Sequence, residues 1–196
     1  MADNVKEKIN EFVKRKLYRF QKLPDSMSRA ELAELRRGVG RAPGEKPMLW
    51  GTILTNLPEE FYGRNGEPSR AEWAIYIALT MFALHQQGHD IKTECMHADK
   101  MCFGKAVNQL SPMNDNSSEG LDSIHNRFNV IATSSDMREL SNHLRGMIKL
   151  LSRAGIPLDY ASLAWDLYEY TSPATVSHVR LRWGQDFYRT TNNVKD

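Results

Sequence analysis

Apolar residues recur along this chain at three- and four-residue intervals, the spacing that gathers them on one side of an α-helix. Over residues 4–21, Val5, Ile9, Phe12, Val13, Leu17 and Phe20 form one such stripe. Lys6, Lys14, Arg15, Arg19 and Lys22 lie mostly off it, and Pro24 closes the segment. Ser28-Arg-Ala-Glu31 has the form of a capping box, in which a hydroxyl and a carboxylate satisfy the free amides of a helix start. It predicts a short helix with Leu32 and Leu35 as its apolar contacts, ended by Gly38 and Gly40. The Gly/Pro-rich run 38–47 reads as a loop. A short helix over Met48–Asn56 is expected to bury Trp50, Ile53 and Leu54. Residues 58–68 are a second loop, with a turn at Asn65-Gly66.

Ser69-Arg-Ala-Glu72 is a second capping box and opens the most apolar segment, EWAIYIALTMFALHQQ, stopped by Gly88. Its apolar residues occupy nearly every side, which predicts a central rod packed on all faces. Asp99–Leu110 reads as helix despite Gly104, which costs about 1 kcal/mol relative to Ala in a helix interior. Residues 111–118 are a polar loop, and Leu121, Ile124, Phe128 and Ile131 then form another stripe. Ser134, Ser135 or Asp136 caps the next helix, lined by Met137, Leu140, Leu144, Met147, Ile148 and Leu151 and stopped by Gly155 and Pro157. Asp159 caps a helix carrying Leu163, Leu167 and Tyr170. Ser172-Pro173 is read as an N-cap and first turn for a last helix with Val176, Val179, Trp183 and Phe187 on one seam.

No alternating strand pattern competes with this, and no repeat of 20–50 residues is visible. The expected fold is all-α, a bundle of about eight to nine helices, or two packed sub-bundles. The loops 38–47 and 111–118 are the candidate boundaries. They give an N-terminal helical part, 1–110, holding the buried central helix, and a C-terminal helical bundle, 111–196.

Composition agrees with a soluble globular domain: 41% of the 196 residues are hydrophobic and 26% charged. No apolar run is long enough to span a bilayer, so no membrane partner is expected. The charged start (Asp3, Lys6, Glu7, Lys8) is not a secretory signal, and two cysteines are too few for a disulfide framework. A cytoplasmic location is expected. The net charge of +2 hides an asymmetry. Residues 1–50 hold 12 Lys/Arg against 7 Asp/Glu, residues 51–136 hold 6 against 11, and residues 137–196 hold 8 against 6. Either the two ends fold together into a positive face for an anionic partner, or the basic residues merely solvate helix surfaces.

Catalytic patterns are missing: there is no GxSxG, P-loop or HExxH. GVGRAPG has glycines, but no strand precedes it and no Lys-Ser/Thr follows. Cys95, His97, Asp99 and Cys102 are the best metal candidates, without the second ligand pair of a structural zinc site. His85 and His89 are separated by Gly88, and His85 reads as a helix-surface or semi-buried side chain. The chain is expected to be no enzyme and to need no cofactor.

The basic residues are more informative. Arg36 and Arg37 end a helix, and Arg41 follows in the loop. Arg138, Arg145, Lys149 and Arg153 fall on a common side of one helix, largely apart from its apolar seam. Arg180, Arg182 and Arg189 add charge to the last helix. Guanidinium rows can track a sugar–phosphate backbone, and they can equally be a solvated face. Arg127, beside Phe128, reads either as part of such a row or as a paired structural cation. Trp73, Trp165 and Trp183 sit on apolar seams, whereas Tyr18, Tyr62 and Tyr188 are expected at the surface.

Several segments together resemble the CasB family, the small subunit of the type I-E CRISPR surveillance complex, Cascade. Leu35-Arg-Arg-Gly38 and the Pro-bearing loop to Trp50 resemble its N-terminal signature, and EWAIYIALTMFALHQQG its central helix. Phe103-Gly-Lys-Ala106 with Leu110 resembles a short LGxAxxxL segment, with Phe103 where an aliphatic residue is usual. Arg127-Phe128 to Asp136, then His143-Leu-Arg145 with Leu150-Leu151, resembles the family's RF…HLRxLVxLL helix pair. Ile156-Pro-Leu-Asp-Tyr160, Leu163 and the closing Trp183…Phe187-Tyr188 complete the match.

The resemblance implies an all-helical, non-enzymatic subunit. Two copies would lie head to tail along Cascade, beside the crRNA and CasC and in contact with CasA. They would stabilise the crRNA–target R-loop, including the displaced DNA strand. It supports Arg36, Arg37, Lys105, Arg127, Arg138 and Arg145 as nucleic-acid-binding residues. Arg41, Lys149 and Arg153 rest on spacing alone. The alternative is a structural scaffold whose basic rows dock acidic patches of other proteins.

Overall fold

The computed structural model describes residues 2–110 and 118–189. Among these residues the chain is all-α, without a β-sheet. The helices are α1 (Ala2–Lys22), α2 (Asp25–Arg36), α3 (Trp50–Leu54), α4 (Arg70–His85), α5 (Phe103–Leu110), α6 (Ser118–Ala132), α7 (Met137–Ala154), α8 (Tyr160–Tyr170) and α9 (Val176–Tyr188). The expected loop at 111–118 falls almost wholly outside the described residues.

The central rod is α4, and α1, α2, α7 and α8 pack around it. Ala74 to Ala83 are buried without a break, as an all-round apolar helix requires. The rod starts at a complete capping box: the Ser69 hydroxyl accepts from the Glu72 amide at 3.0 Å, and the Glu72 carboxylate accepts from the Ser69 amide at 2.7 Å. Phe82 joins its neighbours, stacking on Phe20 of α1 and meeting Tyr160 of α8 edge-on.

A second aromatic cluster lies between α5, α6 and α9. Phe103 meets Trp183 edge-on at 5.0 Å and Phe128 at 5.7 Å, so its extra volume over an aliphatic residue is absorbed in the core. Gly104 allows this crossing, because a Cβ there would stand 2.3 Å from the Trp183 carbonyl oxygen. Its helix-propensity cost is offset by the close approach of α9. The Trp183 indole N–H donates to the buried Asp166 carboxylate at 2.6 Å.

Five local expectations are corrected. Helix α2 starts at Asp25, directly after Pro24, so Ser28 is buried inside the helix and caps nothing. Glu31 instead accepts two hydrogen bonds from Arg19, each 2.6 Å. Trp50 is 51% exposed, because Leu49 and Ile53, four residues apart, take the inward positions. Residues 99–102 are not helical, because this stretch is tied to the α7–α8 connection through Leu158 N–H to Met96 O (3.1 Å) and Asp159 N–H to Met101 O (2.7 Å). Helix α9 begins at Val176 and not at Pro173, because residues 171–175 form a turn closed by the Thr175 hydroxyl on the Glu169 carbonyl.

His85 is the fifth. It is fully buried, not semi-exposed, at the end of α4 where α7 and α8 close over it. Its Nδ1 meets the Tyr160 hydroxyl at 2.8 Å, and the Ser152 hydroxyl donates to its carbonyl at 3.0 Å. Burial pushes its pKa down to about 4.

Candidate nucleic-acid interface

Helix α7 divides its residues cleanly. The Asp136 carboxylate caps it, accepting from the Arg138 and Glu139 amides at 2.8 Å each. Gly155, in the left-handed conformation at φ 64°, ends it. Leu140, Leu144, Met147, Ile148 and Leu151 are buried on one side. Arg138, Arg145, Lys149 and Arg153 are all exposed on the other. Arg145, Lys149 and Arg153 form no ion pair with a described residue.

Two neighbours extend this face. The Arg127 guanidinium on α6 comes within 3.8 Å of the place a Cβ on Gly146 would take, so it lies against α7 at Gly146. It has no acidic partner among the described residues, which leaves it in the row and not in a structural pair. Together Arg127, Val130, His143 and Met147 line a shallow groove of about 290 Å³ between the two helices. On the other flank, the 38–47 loop reaches α7. Glu45 accepts from Arg138 at 3.2 Å and lies 3.7 Å from Arg41, so one carboxylate joins residues distant in sequence. The Ala42 amide, then Arg138 and Arg41, hold the Glu45 carboxyl below its usual range. The loop is anchored to the central rod by the Tyr76 hydroxyl, which donates to the Gly38 carbonyl at 3.0 Å.

The remaining candidates are not brought into this row. Arg36 turns inward, donating to the Ala83 carbonyl at 3.3 Å, and burial lowers its pKa. It lines a cleft of about 400 Å³ between α2 and residues 86–91. Arg37 points outward and pairs with Glu34 at 2.8 Å. Lys105 is exposed on α5, and no described contact ties it to α7.

The basic N-terminus does not join a positive face in the way the charge distribution suggests. Lys8 pairs with Glu60 (2.7 Å), Lys14 with Asp99 (2.6 Å) and Arg19 with Glu31 (2.6 Å). Glu60 and Asp99 come from the acidic middle of the chain and neutralise two of the α1 cations, whereas Lys6, Arg15, Lys16 and Lys22 have no acidic partner among the described residues. On α9, Arg182 is held by Asp166 at 2.6 Å and Glu169 at 2.7 Å, so it is a structural cation. Glu45 had no sequence signal, since a single glutamate in a Gly/Pro loop carries no periodicity.

The candidate metal ligands separate. His97 and Asp99 lie 3.6 Å apart and are joined by Asp159, not by the cysteines. Lys14 holds Asp99, while the Asp159 oxygens accept from the Ser162 and Lys100 amides at 3.0 and 2.9 Å. These bonds account for the cluster as a loop clasp. Cys102 donates to Asp186 at 3.0 Å, and burial pushes its thiol up to about 11. No helix among the described residues is long and apolar enough to cross a membrane.

The family model for CRISPR-associated protein Cse2 matches residues 31–188. Among solved structures, CasB from Thermobifida fusca is similar with a TM-score of 0.74 and 31% identity, covering 93% of this chain and 98% of that one. CasB from M. ruber shares the fold at a TM-score of 0.65 and 23% identity, covering 93% of each chain. No curated protein sequence matches the chain closely enough to carry an argument. The match over most of its length and the shared fold place the chain in the Cse2 (CasB) family of the type I-E CRISPR Cascade.

Proposed function

We propose that this chain acts as a non-catalytic small subunit of Cascade. It would bind nucleic acid through the cationic face of α7 and so hold the crRNA–target R-loop open against the displaced strand. The observation that carries this reading is the set of exposed, unneutralised side chains Arg145, Lys149 and Arg153, with Arg127 laid beside them. From Arg138 to Arg153 the helix rises about 22 Å. Over that length one strand of a duplex carries about six phosphates. The row has no aromatic platform and no base-reading pattern, which suits sequence-independent backbone contact. Exchange of one duplex for another is nearly balanced, so a few such contacts can decide whether the R-loop stays open. The partners on this reading are crRNA, both target strands, CasA, CasC and a second copy of this chain.

One observation favours a scaffold role for part of the surface. Arg37, Arg41 and Arg138 already face carboxylates of their own chain, so they are suited to shared protein contacts as well as phosphates. Charge reversal at Arg145, Lys149 and Arg153 separates the two readings. The nucleic-acid reading expects Cascade to assemble and then fail to retain an open target. Loss of assembly itself overturns it in favour of the scaffold.

A further inference from the structure

Helix α1 carries a lysine where its own periodicity asks for an apolar residue. Lys16 falls four residues after Phe12 and four before Phe20, on the buried stripe, and is 8% exposed. Its ammonium sits over the Phe12 ring, 5.0 Å from the centroid, and donates to the Thr55 carbonyl at 2.9 Å. One carbonyl occupies one of its three donors. No described carboxylate pairs with it, whereas a buried charge is ordinarily paired.

Its neighbours add to the imbalance. Arg15 and Arg19 flank Lys16 and, with it, wall a cavity of about 310 Å³ closed by Gly51, Thr55 and Asn56. Arg19 is already neutralised by both oxygens of Glu31. Arg15 is exposed and has no acidic partner among the described residues. The cavity therefore faces two uncompensated cations with idle N–H donors, one of them buried. We propose that this cavity, apart from the α7 face, binds a phosphate-type oxyanion held by Lys16 and Arg15.

The electrostatics fit. Burial, then the positive charge of Arg19, hold Lys16 down to about 8; Glu31 offsets part of this, and Arg15 adds to it. A bound dianion opposes these influences and raises the proton affinity of Lys16. By linkage, binding then takes up a proton near that pH and weakens once the ammonium is lost. Free phosphate and a nucleic-acid phosphodiester offer the same chemistry, so the test carries both.

The full chain labelled at lysine Cε is titrated by NMR at constant ionic strength. One sample holds chloride alone, one sulfate (whose charge does not change over this range) and one a short single-stranded oligodeoxynucleotide. Sulfate is expected to raise the Lys16 midpoint by about one unit, equivalent to about tenfold tighter binding to the protonated form. A shift with the oligodeoxynucleotide but not sulfate assigns the site to phosphodiesters, and a shift with sulfate assigns it to free oxyanions. Arg15→Gln, at an exposed position, is expected to reduce either shift. The wild-type titration needs no variant, so a Lys16→Met chain that fails to fold leaves the test intact. A Lys16 midpoint unmoved by both additives overturns the proposal, whatever the α7 face does.

Discussion

Helices α1 and α7 are both long, amphipathic and rich in Lys and Arg, yet three cations on each end in opposite states. On α1, Lys8, Lys14 and Arg19 each meet a carboxylate from elsewhere in the fold. On α7, Arg145, Lys149 and Arg153 meet none that is described. On the proposed reading, a surface for polyanions depends on which exposed cations the fold leaves uncompensated and gathers on one face, not on how many the sequence holds. The same rule separates Arg182, clamped by two carboxylates, from Arg153. Paired and buried cations hold the structure together, and unpaired exposed ones remain available to phosphates.

The largest effect expected on this contrast comes from breaking a buried pair. Asp166 is 3% exposed and accepts from both Arg182 and Trp183. Asp166→Ala strands the indole N–H and one guanidinium edge, and urea unfolding is expected to show a loss of roughly 3–5 kcal/mol. A loss below about 1 kcal/mol would mean the pair is no more structural than a surface contact.

Acid gives the next largest separation. His85 is neutral in the fold, with a pKa lowered from 6.5 to about 4. Between those values the unfolded chain binds more protons than the folded one, so stability falls as pH drops from 6.5 towards 4. The loss from this group is at most about 3 kcal/mol, and His97, also lowered by burial, adds with the same sign. Denaturant titrations across this range should show the decline, and a flat profile would contradict the buried, neutral His85.

Ser69→Ala removes one half of the capping box on α4 and should cost about 1 kcal/mol, read as a lowered Tm. The smallest stability change is expected on α7. Lys149→Gln with Arg153→Gln should stay within about 0.5 kcal/mol of the wild type, because neither side chain touches a described partner.

Much of this architecture could be read from the residues alone. The all-round apolar α4, its Ser69–Glu72 box, the Asp136 and Asp159 caps and the two faces of α7 all follow from local spacing. Several misreadings share one cause, which is that a distant partner decides the outcome. Glu31 has the spacing to cap Ser28 but is drawn to Arg19. Trp50 loses its inward position to Leu49 and Ile53, and His85 is covered by α7 and α8. For the candidate interface, helical spacing placed Arg138, Arg145, Lys149 and Arg153 together. It could not show that Arg36 turns inward, or that Glu45 binds Arg41 to Arg138. Lys16 did leave a signal, a lysine in register with Phe12 and Phe20.

The most direct measurement compares the salt dependence of target-DNA retention for Cascade carrying Lys149→Gln/Arg153→Gln with that for Cascade carrying Lys8→Gln/Lys14→Gln. Each pair removes two positive charges, so net charge is matched. The α7 pair should lower the slope of log affinity against log salt by about 1.4, at about 0.7 per single-strand phosphate contact, while the α1 pair leaves it unchanged. Equal slopes for the two complexes, or a drop confined to the α1 pair, would contradict the claim that uncompensated cations on α7 hold the nucleic acid.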